Sequence, residues 1–386
     1  MPAALGQRQE SRAFASAHVS GDNWRTVTQQ AIKQLGHGHK GGLGLVYMTD
    51  ELAEHAASIV MLLRSGTGVD DWVGASGLGV CSNGYESFGE PALAVMVLDL
   101  DATDYRLIPS LSADEMAGCS ADIQGWLGEK NPFLGLVHAP PAADVQDSLQ
   151  TLKRVTGAHI VGGLASGYEQ PMAVSEMPSD RGVSGVLFAA QQPVVTGLTQ
   201  GCSPVGTCHR VTQSQGNVVV ELDGRPAFEV FSDDMRLLAE QVGLARPKGD
   251  VHIGLLTGGA RDGSRGDYLV RNLMGIDPEK GLIGVAEQIE TGQDLMFVWR
   301  SAETVKQDMN RMLADVKQRL GGAKPRGAIY ISCLARGPNT FKRANTEMGL
   351  VRAALGDDVP VTGFFANGEI SDARLYSYTG VLTLFL

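Results

Sequence analysis

The sequence predicts an α/β fold with mixed sheets, organised as two domains that are built from repeated β-α-β-β units. Three observations lead to this class. A pattern of an apolar strand, an amphipathic helix and further apolar strands recurs three times. The chain has 386 residues, which exceeds the length of about 250–300 residues at which one hydrophobic core stops growing. Residues 194–231 show no helical period, so the architecture changes there. We therefore expect one domain over residues 14–190 and a second over residues 191–386.

Each copy contains one helix whose apolar residues recur at intervals of three and four, which places them on one face. In copy order these residues are Leu52, Ala56, Ile59, Val60 and Leu63; Val145, Leu149, Leu152 and Val155; and Phe341, Ala344, Met348, Val351 and Leu355. One strand precedes each helix, a second follows it, and a third closes the copy. The opening strands are expected at residues 42–48, 133–138 and 328–333, and the closing strands at residues 92–98, 183–189 and 379–384. Because two strands joined by a helix pair in parallel, and the closing strand adds an antiparallel neighbour, the sheets are expected to be mixed.

A Gly-rich turn that ends in an acidic residue stands before the closing strand of every copy. The three turns end at Glu86, Glu169 and Glu369. Asn83-Gly84 and Asn367-Gly368 are the strongest hairpin signals among them, since a type I′ turn requires positive φ at both central residues. The alternative is that generic β-α-β segments resemble one another without forming a true repeat.

The stretch between the second and third copies is interpreted from local patterns. Asp223-Gly224 indicates a tight turn between two strands. We expect a helix at residues 232–242 and a longer one that carries Val305 to Leu320 on its apolar face. Short strands are expected at residues 194–200, 217–222, 227–231, 251–256, 268–274, 282–285 and 295–299.

Composition excludes several classes of function. The net charge of −11 is the opposite of what a nucleic-acid surface requires and gives no support for docking on anionic membranes. No segment approaches the ~18 consecutive apolar residues of a membrane span, and the first 20 residues lack a secretory signal. Five cysteines without a CxxC pair are typical of reduced thiols. We expect a soluble, cytoplasmic protein that binds neither nucleic acid nor membrane.

An ordered set of short motifs in the second half of the chain resembles the FIST C-terminal domain. In chain order the motifs are Gln200-Gly201-Cys202-Ser203-Pro204, Glu221-Leu222-Asp223-Gly224-Arg225, Tyr268-Leu269-Val270-Arg271, Ser332-Cys333, Arg336-Gly337, residues 363–370 and residues 378–382. The segment from residue 14 to residue 190 resembles the FIST N-terminal domain. The chain departs from the family pattern at Leu375-Tyr376-Ser377, where a His is common, and at Ser371-Asp372, where Gly-Pro is common.

The resemblance implies a sensory protein that binds a small ligand, with amino acids as the favoured class. Such domains are often fused to histidine kinases or cyclic-nucleotide enzymes, and here we expect signalling in trans to a partner of that kind. One branch of the family binds haem and senses nitric oxide, which is the first alternative. A scaffold that binds only protein is the second.

Two loops are the candidate ligand site. The turn at residues 363–369 combines a flexible backbone with aromatic walls, an amide and a carboxylate, and the loop after the strand at residues 328–333 adds a forked cation at the carboxyl end of a parallel strand. The ligand-binding residues are predicted to be Cys333, Arg336, Gly337, Phe364, Phe365, Asn367, Gly368 and Glu369. Arg336 would hold a carboxylate and Glu369 an ammonium group, which suits an amino acid.

Other candidate chemistry is weaker. Cys202 and His209 are the residue types that haem iron requires axially, so they are the candidate haem ligands of the alternative function. His37-Gly38-His39 is interpreted as a surface loop and not as a metal site, and residues 258–267 as a mobile loop that lacks the Lys-Ser/Thr ending of a P-loop. No GxSxG, HExxH or CxxC motif is present. We therefore expect no metal, no resident cofactor and no enzymatic activity.

Overall fold

A computed structural model describes residues 14–36, 39, 42–118, 120–142, 144–243, 248–257 and 268–386. Its helices and strands confirm the predicted α/β class with mixed sheets. In chain order the strands are β1 (Ala15–Ser20), β2 (Leu43–Thr49), β3 (Asp71–Gly77), β4 (Gly79–Ser82), β5 (Tyr85–Phe88), β6 (Ala92–Leu98), β7 (Tyr105–Leu111), β8 (Leu134–Ala139), β9 (His159–Leu164), β10 (Ala173–Ser175), β11 (Met177–Ser179), β12 (Val183–Phe188), β13 (Val194–Thr199), β14 (Ser203–Gln215), β15 (Val218–Leu222), β16 (Arg225–Pro226), β17 (Asp250–Leu256), β18 (Tyr268–Asp277), β19 (Leu282–Val285), β20 (Asp294–Arg300), β21 (Gly327–Cys333), β22 (Val361–Ala366), β23 (Glu369–Ser371), β24 (Arg374–Tyr376) and β25 (Gly380–Phe385).

The helices include the five that the sequence predicts and three that it does not, at residues 24–35, 113–118 and 120–130. They are α1 (Trp24–Leu35), α2 (Ala56–Thr67, preceded by a 3₁₀ turn at Asp50–His55), α3 (Ala113–Gly118), α4 (Ser120–Lys130), α5 (Val145–Thr156), α6 (Ala227–Val242), α7 (Ala302–Leu320), α8 (Pro338–Phe341) and α9 (Thr346–Leu355). Helix α7 begins with a capping box in which Ser301 and Thr304 satisfy each other's main-chain N–H groups.

Three six-stranded sheets share one strand order. The first sheet runs β1-β6-β2-β3-β10-β11, the second β7-β12-β8-β9-β23-β24, and the third β13-β25-β21-β22-β4-β5. In each sheet the two middle strands are parallel and are joined by a helical connection, while their other neighbours are antiparallel. The last two strands of each sheet form a hairpin that the chain supplies from a different region. Main-chain hydrogen bonds of the exchanged hairpins therefore link the three regions of the chain that build these sheets.

This exchange of hairpins differs from the predicted units, in which each turn closes its own copy. The hairpin β4–β5 turns at Asn83-Gly84, as expected, with φ of 41° and 91°, but it joins β22 of the third sheet. Asn367-Gly368 is not a hairpin turn, because β22 and β23 on either side of it lie in different sheets. The hairpin turn after it lies at Asp372-Ala373, both with positive φ. Residues on both sides of the predicted boundary at residue 190 thus share sheets, and the boundary itself stays a prediction.

The fourth sheet runs β14-β20-β17-β18-β19-β15-β16 and is covered by helix α6. Its Asp223-Gly224 turn joins β15 to β16 as predicted, with both residues at positive φ. The strand predicted at residues 227–231 is wrong, since helix α6 already begins at Ala227. Its β-branched and aromatic residues suggest a strand, but the buried positions have helical spacing and pack on the sheet. These positions are Ala227, Val230, Asp234 and Leu238.

The three six-stranded sheets enclose one central core, and the helices cover their outer faces. Alternate residues of β2 show the division: Leu45 and Tyr47 face the central core, while Val46 and Met48 face helices α1 and α2. Within each parallel pair one glycine allows the strands to approach closely. A Cβ at Gly74, Gly162 or Gly363 would lie 1.7, 1.8 or 1.7 Å from the carbonyl oxygen of Val46, Val137 or Tyr330, respectively.

Candidate functional site

The loop after strand β21 folds into the protein interior. The N–H of Arg336 donates to the carbonyl of Cys333 at 2.8 Å, so the chain turns directly after the strand. Gly337 follows with a φ of 54°, and a Cβ there would lie 2.8 Å from the ring of Phe365. The Arg336 side chain is 0% exposed. The loop that the sequence predicts as a ligand clamp is therefore a buried turn.

Arg336 binds a carboxylate of the protein itself. Its Nε donates to Oε1 of Glu347, at the start of helix α9, at 2.7 Å. Glu347 also accepts hydrogen bonds from the hydroxyls of Tyr330 and Ser332 and from the N–H of Gly337. Burial opposes the ionisation of Glu347, but the Arg336 charge and these donors hold its pKa below the ordinary value. A ligand carboxylate would have to displace Glu347, and ligand binding by Arg336 stays a prediction.

The two phenylalanines of the predicted site lie in the hydrophobic cores. Phe364 stacks on Tyr47 with ring centroids 5.0 Å apart, and Phe365 packs against Phe88 at 4.4 Å. Both phenylalanines are fully buried, so in this structure they are walls of the protein core. Asn367 is the exposed member of the turn.

Glu369 lies in the interior beside the Cys333 thiol. The Gly368 carbonyl before it accepts a hydrogen bond from the Leu164 N–H, which holds the turn against strand β9. Oε2 of Glu369 is hydrogen-bonded to Thr379, while Oε1 receives no N–H or O–H donor from the described residues. Burial raises the pKa of Glu369 to about 8 and also raises the pKa of the Cys333 thiol. The two predicted loops therefore lie side by side, but the groups that meet there are buried.

The other two turn acids occupy different environments. Glu86 accepts hydrogen bonds from the N–H groups of Asn345 and Met348 at the start of helix α9, and burial raises its pKa to about 7. Glu169 is exposed. In the turn that ends at Glu169, the Ser166 hydroxyl donates to the main chain of the candidate site. The common acid at the three turns thus has no common role.

Tyr378 lies where the third sheet meets the fourth, at a cluster that the sequence did not predict. Its ring lies 4.3 Å from the imidazole of His252, and the guanidinium of Arg300 lies over it at 5.1 Å from the ring centre. Its hydroxyl donates to Asn272. The φ of Tyr378 is 65°, an unusual backbone conformation for an aromatic residue. His252, Asn272 and Arg300 lie on three strands of the fourth sheet, and Tyr378 lies in the loop before β25 of the third sheet. No local sequence pattern connects these residues.

A cavity of about 460 Å³ lies beside this junction, and we call it the Arg311 cavity. Its walls are Leu198, Gln200, Cys202, Ser203, Pro204, Tyr268, Thr304, Gln307, Asp308 and Arg311. Asp308 accepts hydrogen bonds from the main-chain N–H groups of Gln200 and Gly201 and from Nε of Arg311 at 2.7 Å. The two bonds from Gln200 and Gly201 hold the segment before β14 against helix α7. A Cβ at Gly201 would lie 3.1 Å from Nη1 of Arg336, so the cavity adjoins the buried Arg336 turn.

The candidate haem ligands do not fit an axial role as they stand. Nδ1 of His209 contacts Asp223 at 2.7 Å and its Nε2 contacts Asp234 at 3.1 Å. Burial lowers the pKa of His209, but the two carboxylates outweigh it and raise the pKa above 6.5. Burial raises the pKa of the Cys202 thiol to about 12. An iron atom would meet an imidazole with both nitrogens occupied and a buried, protonated thiol.

Two sequence interpretations fall outside the described residues. These are residues 258–267 and most of the His37-Gly38-His39 loop. Across the described part of the chain, no group of three or more His, Cys, Asp or Glu side chains is arranged to hold a metal ion. The same part contains no helix with the length and apolarity needed to cross a membrane.

Comparison with known families gives two adjoining matches. Residues 42–225 match the FIST N domain, and residues 227–372 match the FIST C domain. The matches meet at residues 225–227, whereas the sequence pattern placed its boundary at residue 190.

Curated relatives come from mycobacteria. One uncharacterized protein of Mycobacterium tuberculosis is 31% identical over 249 residues, which cover 60% of this chain and 61% of that protein. An uncharacterized protein of Mycobacterium bovis is 30% identical over a region of the same extent. The chain thus spans about three fifths of the length of the relatives that it matches.

Proposed function

We propose, on the premise that the chain belongs to the FIST family, that it is a sensory protein whose Arg311 cavity binds an amino-acid-like molecule. FIST domains are associated with sensory signal transduction. The proposal assigns the ligand to a different place from the one that the sequence indicated, since the ion pair of Arg336 with Glu347 is fully buried, whereas the Arg311 side chain is partly exposed.

One observation carries the proposal: the cavity presents a cation and a carboxylate on one turn of helix α7. Arg311 uses Nε for Asp308, while its Nη2 makes only a long contact of 3.5 Å to the Leu198 carbonyl. Its terminal N–H groups are thus available to a ligand carboxylate, which guanidinium groups bind through two parallel hydrogen bonds. From the described residues, Oδ1 of Asp308 accepts a single hydrogen bond, which leaves a lone pair for a ligand ammonium group.

The remaining walls supply a suitable side-chain pocket. Leu198, Pro204 and Tyr268 are apolar or aromatic, and the amide of Gln307 offers both donors and acceptors. A volume of about 460 Å³ lies within the usual range of small-molecule sites, roughly 300–1,000 Å³.

The position of the cavity favours a signalling role. It lies between helix α7, which covers the third sheet, and strand β18 of the fourth sheet, which contributes Tyr268. A ligand that draws these walls together would change how the two sheets meet at Tyr378. We propose that a separate partner, a histidine kinase or a cyclic-nucleotide enzyme, reads this change.

The test is a thermal-shift screen of amino acids against the purified protein, with Arg311→Ala and Arg319→Ala as matched variants. Arg319 lies on the same helix but pairs with Asp315 outside the cavity. We expect Arg311→Ala to weaken binding by roughly ten- to a hundredfold, as the loss of a charge-assisted hydrogen bond implies, and Arg319→Ala to bind like the wild type.

Three outcomes would contradict the proposal. Equal binding by both variants would move the ligand out of the Arg311 cavity. A Soret band on addition of haem would favour the haem sensor, and the absence of any small-molecule response would favour the protein scaffold. Effects of the liganded protein on the autophosphorylation of a candidate kinase test the partner separately.

A further inference from the structure

Arg300 is a buried arginine that has no carboxylate partner among the described residues. It is the last residue of strand β20 and is 6% exposed. Both of its hydrogen bonds start from Nη2, one to the Ala335 carbonyl at 2.9 Å and one to the Thr340 hydroxyl. Nε is buried and has no acceptor among the described residues, and the hydrogen bonds that Arg300 makes to them leave Nη1 unused. Arg336, which is also buried, has the carboxylate of Glu347 as its partner.

The contacts of Arg300 do not balance its charge. The Tyr378 ring, at 5.1 Å, attracts the guanidinium through a cation–π contact, but this attraction is weaker than the cost of burying an unpaired charge. Burial and the nearby Arg336 charge lower the pKa of Arg300 below the usual arginine value. Nε1 of Trp299, the preceding residue, is also buried and has no acceptor among the described residues. This corner of the protein therefore has an excess of buried donors and no buried carboxylate beside them in the described part of the chain.

A second cavity, of about 700 Å³, opens on these same groups, and we call it the Arg300 cavity. Its lining residues are Val242, Lys248, Gly249, Asp250, Trp299, Arg300, Ser301, Ala302, Glu303, Asn339, Thr340 and Lys342. It shares none of them with the Arg311 cavity. Ser301 and Ala302 form the amino-terminal end of helix α7, whose 19 residues direct a partial positive charge into the cavity.

The exposed side chains of the cavity carry two positive and two negative charges, which cancel. The buried charge of Arg300 therefore decides which ligands the cavity prefers. Lys248 and Lys342 are exposed, as are Asp250 and Glu303, so solvent screens all four. Asp250 lies across from Arg300 in the register of β17 and β20, but its carboxylate forms no ion pair with the guanidinium in this structure. Arg300 and the helix terminus remain as the least screened charges, and both are positive.

We propose that the Arg300 cavity is a second binding site, specific for a phosphate group. Arg300 would donate its two Nη1 N–H groups to the phosphate, and the start of helix α7 and the two lysines would approach the remaining oxygens. A tetrahedral dianion can use donors that converge from several directions, whereas a planar carboxylate would use the guanidinium alone. The site does not depend on the proposed function, because neither its residues nor its ligand are shared with the Arg311 cavity.

The experiment is isothermal titration of the full chain with inorganic phosphate at constant ionic strength, with sodium acetate as the second arm. We expect saturable binding of phosphate, and acetate weaker by about tenfold or more. Arg300→Met should weaken phosphate binding by roughly ten- to a hundredfold, the value of a charge-assisted hydrogen bond. Arg319→Met, which lies outside both cavities and pairs with Asp315, should bind phosphate like the wild type.

Two surface variants keep the test valid if Arg300→Met does not fold. Lys248→Ala combined with Lys342→Ala should fold normally and weaken phosphate binding, because both lysines lie at the cavity. Asp250→Asn should strengthen it, because a competing carboxylate is removed. Equal affinity for acetate and phosphate, binding that does not saturate, or phosphate binding that survives in Arg300→Met or in the double lysine variant would overturn the assignment.

Discussion

Oε2 of Glu369 accepts two hydrogen bonds from Thr379, one from the main-chain N–H at 3.0 Å and one from the hydroxyl at 2.7 Å. These bonds favour the ionised carboxyl group. Burial has the larger effect and raises the pKa of Glu369 to about 8. At neutral pH the folded protein therefore keeps this group protonated, at the point where the hairpin β23–β24 is anchored to the second sheet.

Glu369 should make the protein less stable as the pH rises. The unfolded chain releases the proton near pH 4.5 and the folded protein near pH 8. Between these values the folded state holds one more proton, so its free energy of unfolding falls by about 1.4 kcal/mol per pH unit. We expect Glu369→Gln to match the wild type near pH 5 and to be more stable at pH 8, as measured by urea unfolding. Glu169→Gln, at an exposed turn acid, is the control, and an unchanged pH profile in Glu369→Gln would contradict the prediction.

The ion pair of Arg336 with Glu347 should be essential for stability. Both side chains are 0% exposed, so removing one partner leaves the other charged and buried, which costs about 3–5 kcal/mol. We expect Glu347→Leu and Arg336→Met each to lower the midpoint of urea unfolding strongly. The double variant should lose less than the sum of the two. Additive losses would show that the two side chains act independently.

His209 should stabilise the protein most at low pH. Its two carboxylate partners raise its pKa above 6.5, so the stabilisation is complete below pH 6.5 and is lost as the pH rises through the folded-state pKa. We expect His209→Gln to cost about 1–3 kcal/mol at pH 6, the value of hydrogen bonds between charged groups, and less at pH 9. Urea unfolding of the variant and the wild type at both pH values measures this difference in the free energy of unfolding. His55→Gln, at a partly exposed histidine, should show no such difference.

Gly363 should not tolerate any side chain. A Cβ at this position would lie 1.7 Å from the main-chain oxygen of Tyr330 on the neighbouring strand, and a main-chain atom of a central strand cannot move aside. We expect Gly363→Ala to abolish folding or to lower the melting temperature severely. Gly349→Ala, in helix α9 with open space around it, should instead stabilise the protein by about 1 kcal/mol, because alanine favours the helix. Similar melting temperatures for the two variants would contradict the close approach of the strands.

Local patterns predicted the elements that depend on neighbours in sequence. The turn at Asp223-Gly224 is an example, since positive φ at two adjacent residues is a local requirement. The strand predicted at residues 227–231 is wrong because the prediction used only the β propensity of these residues. Packing of Val230 and Leu238 on the fourth sheet favours a helix instead. Asn367-Gly368 was interpreted as a hairpin because the signal for a turn does not say which sheet the next strand joins.

The candidate site was harder to predict than the fold. The sequence placed Cys333, Arg336 and Glu369 near one another, because strand ends and turns follow from the β-α-β order. It could not show that Glu347 forms an ion pair with Arg336, nor that Arg300 is buried with no carboxylate partner among the described residues. Burial and pairing depend on residues that are distant in the chain.

The sequence by itself thus determined the α/β class, most helices and strands, and the ordered motifs that indicate the FIST family. Periodicity and turn chemistry carry this information, since both are properties of short segments. Only the tertiary structure decided that the hairpins pass between sheets, that Phe364, Phe365 and Glu369 are buried, and that two cavities lie near Tyr378. Hydrogen-bonded edges, desolvated charges and enclosed volumes arise between segments that are far apart in sequence, so no local pattern specifies them.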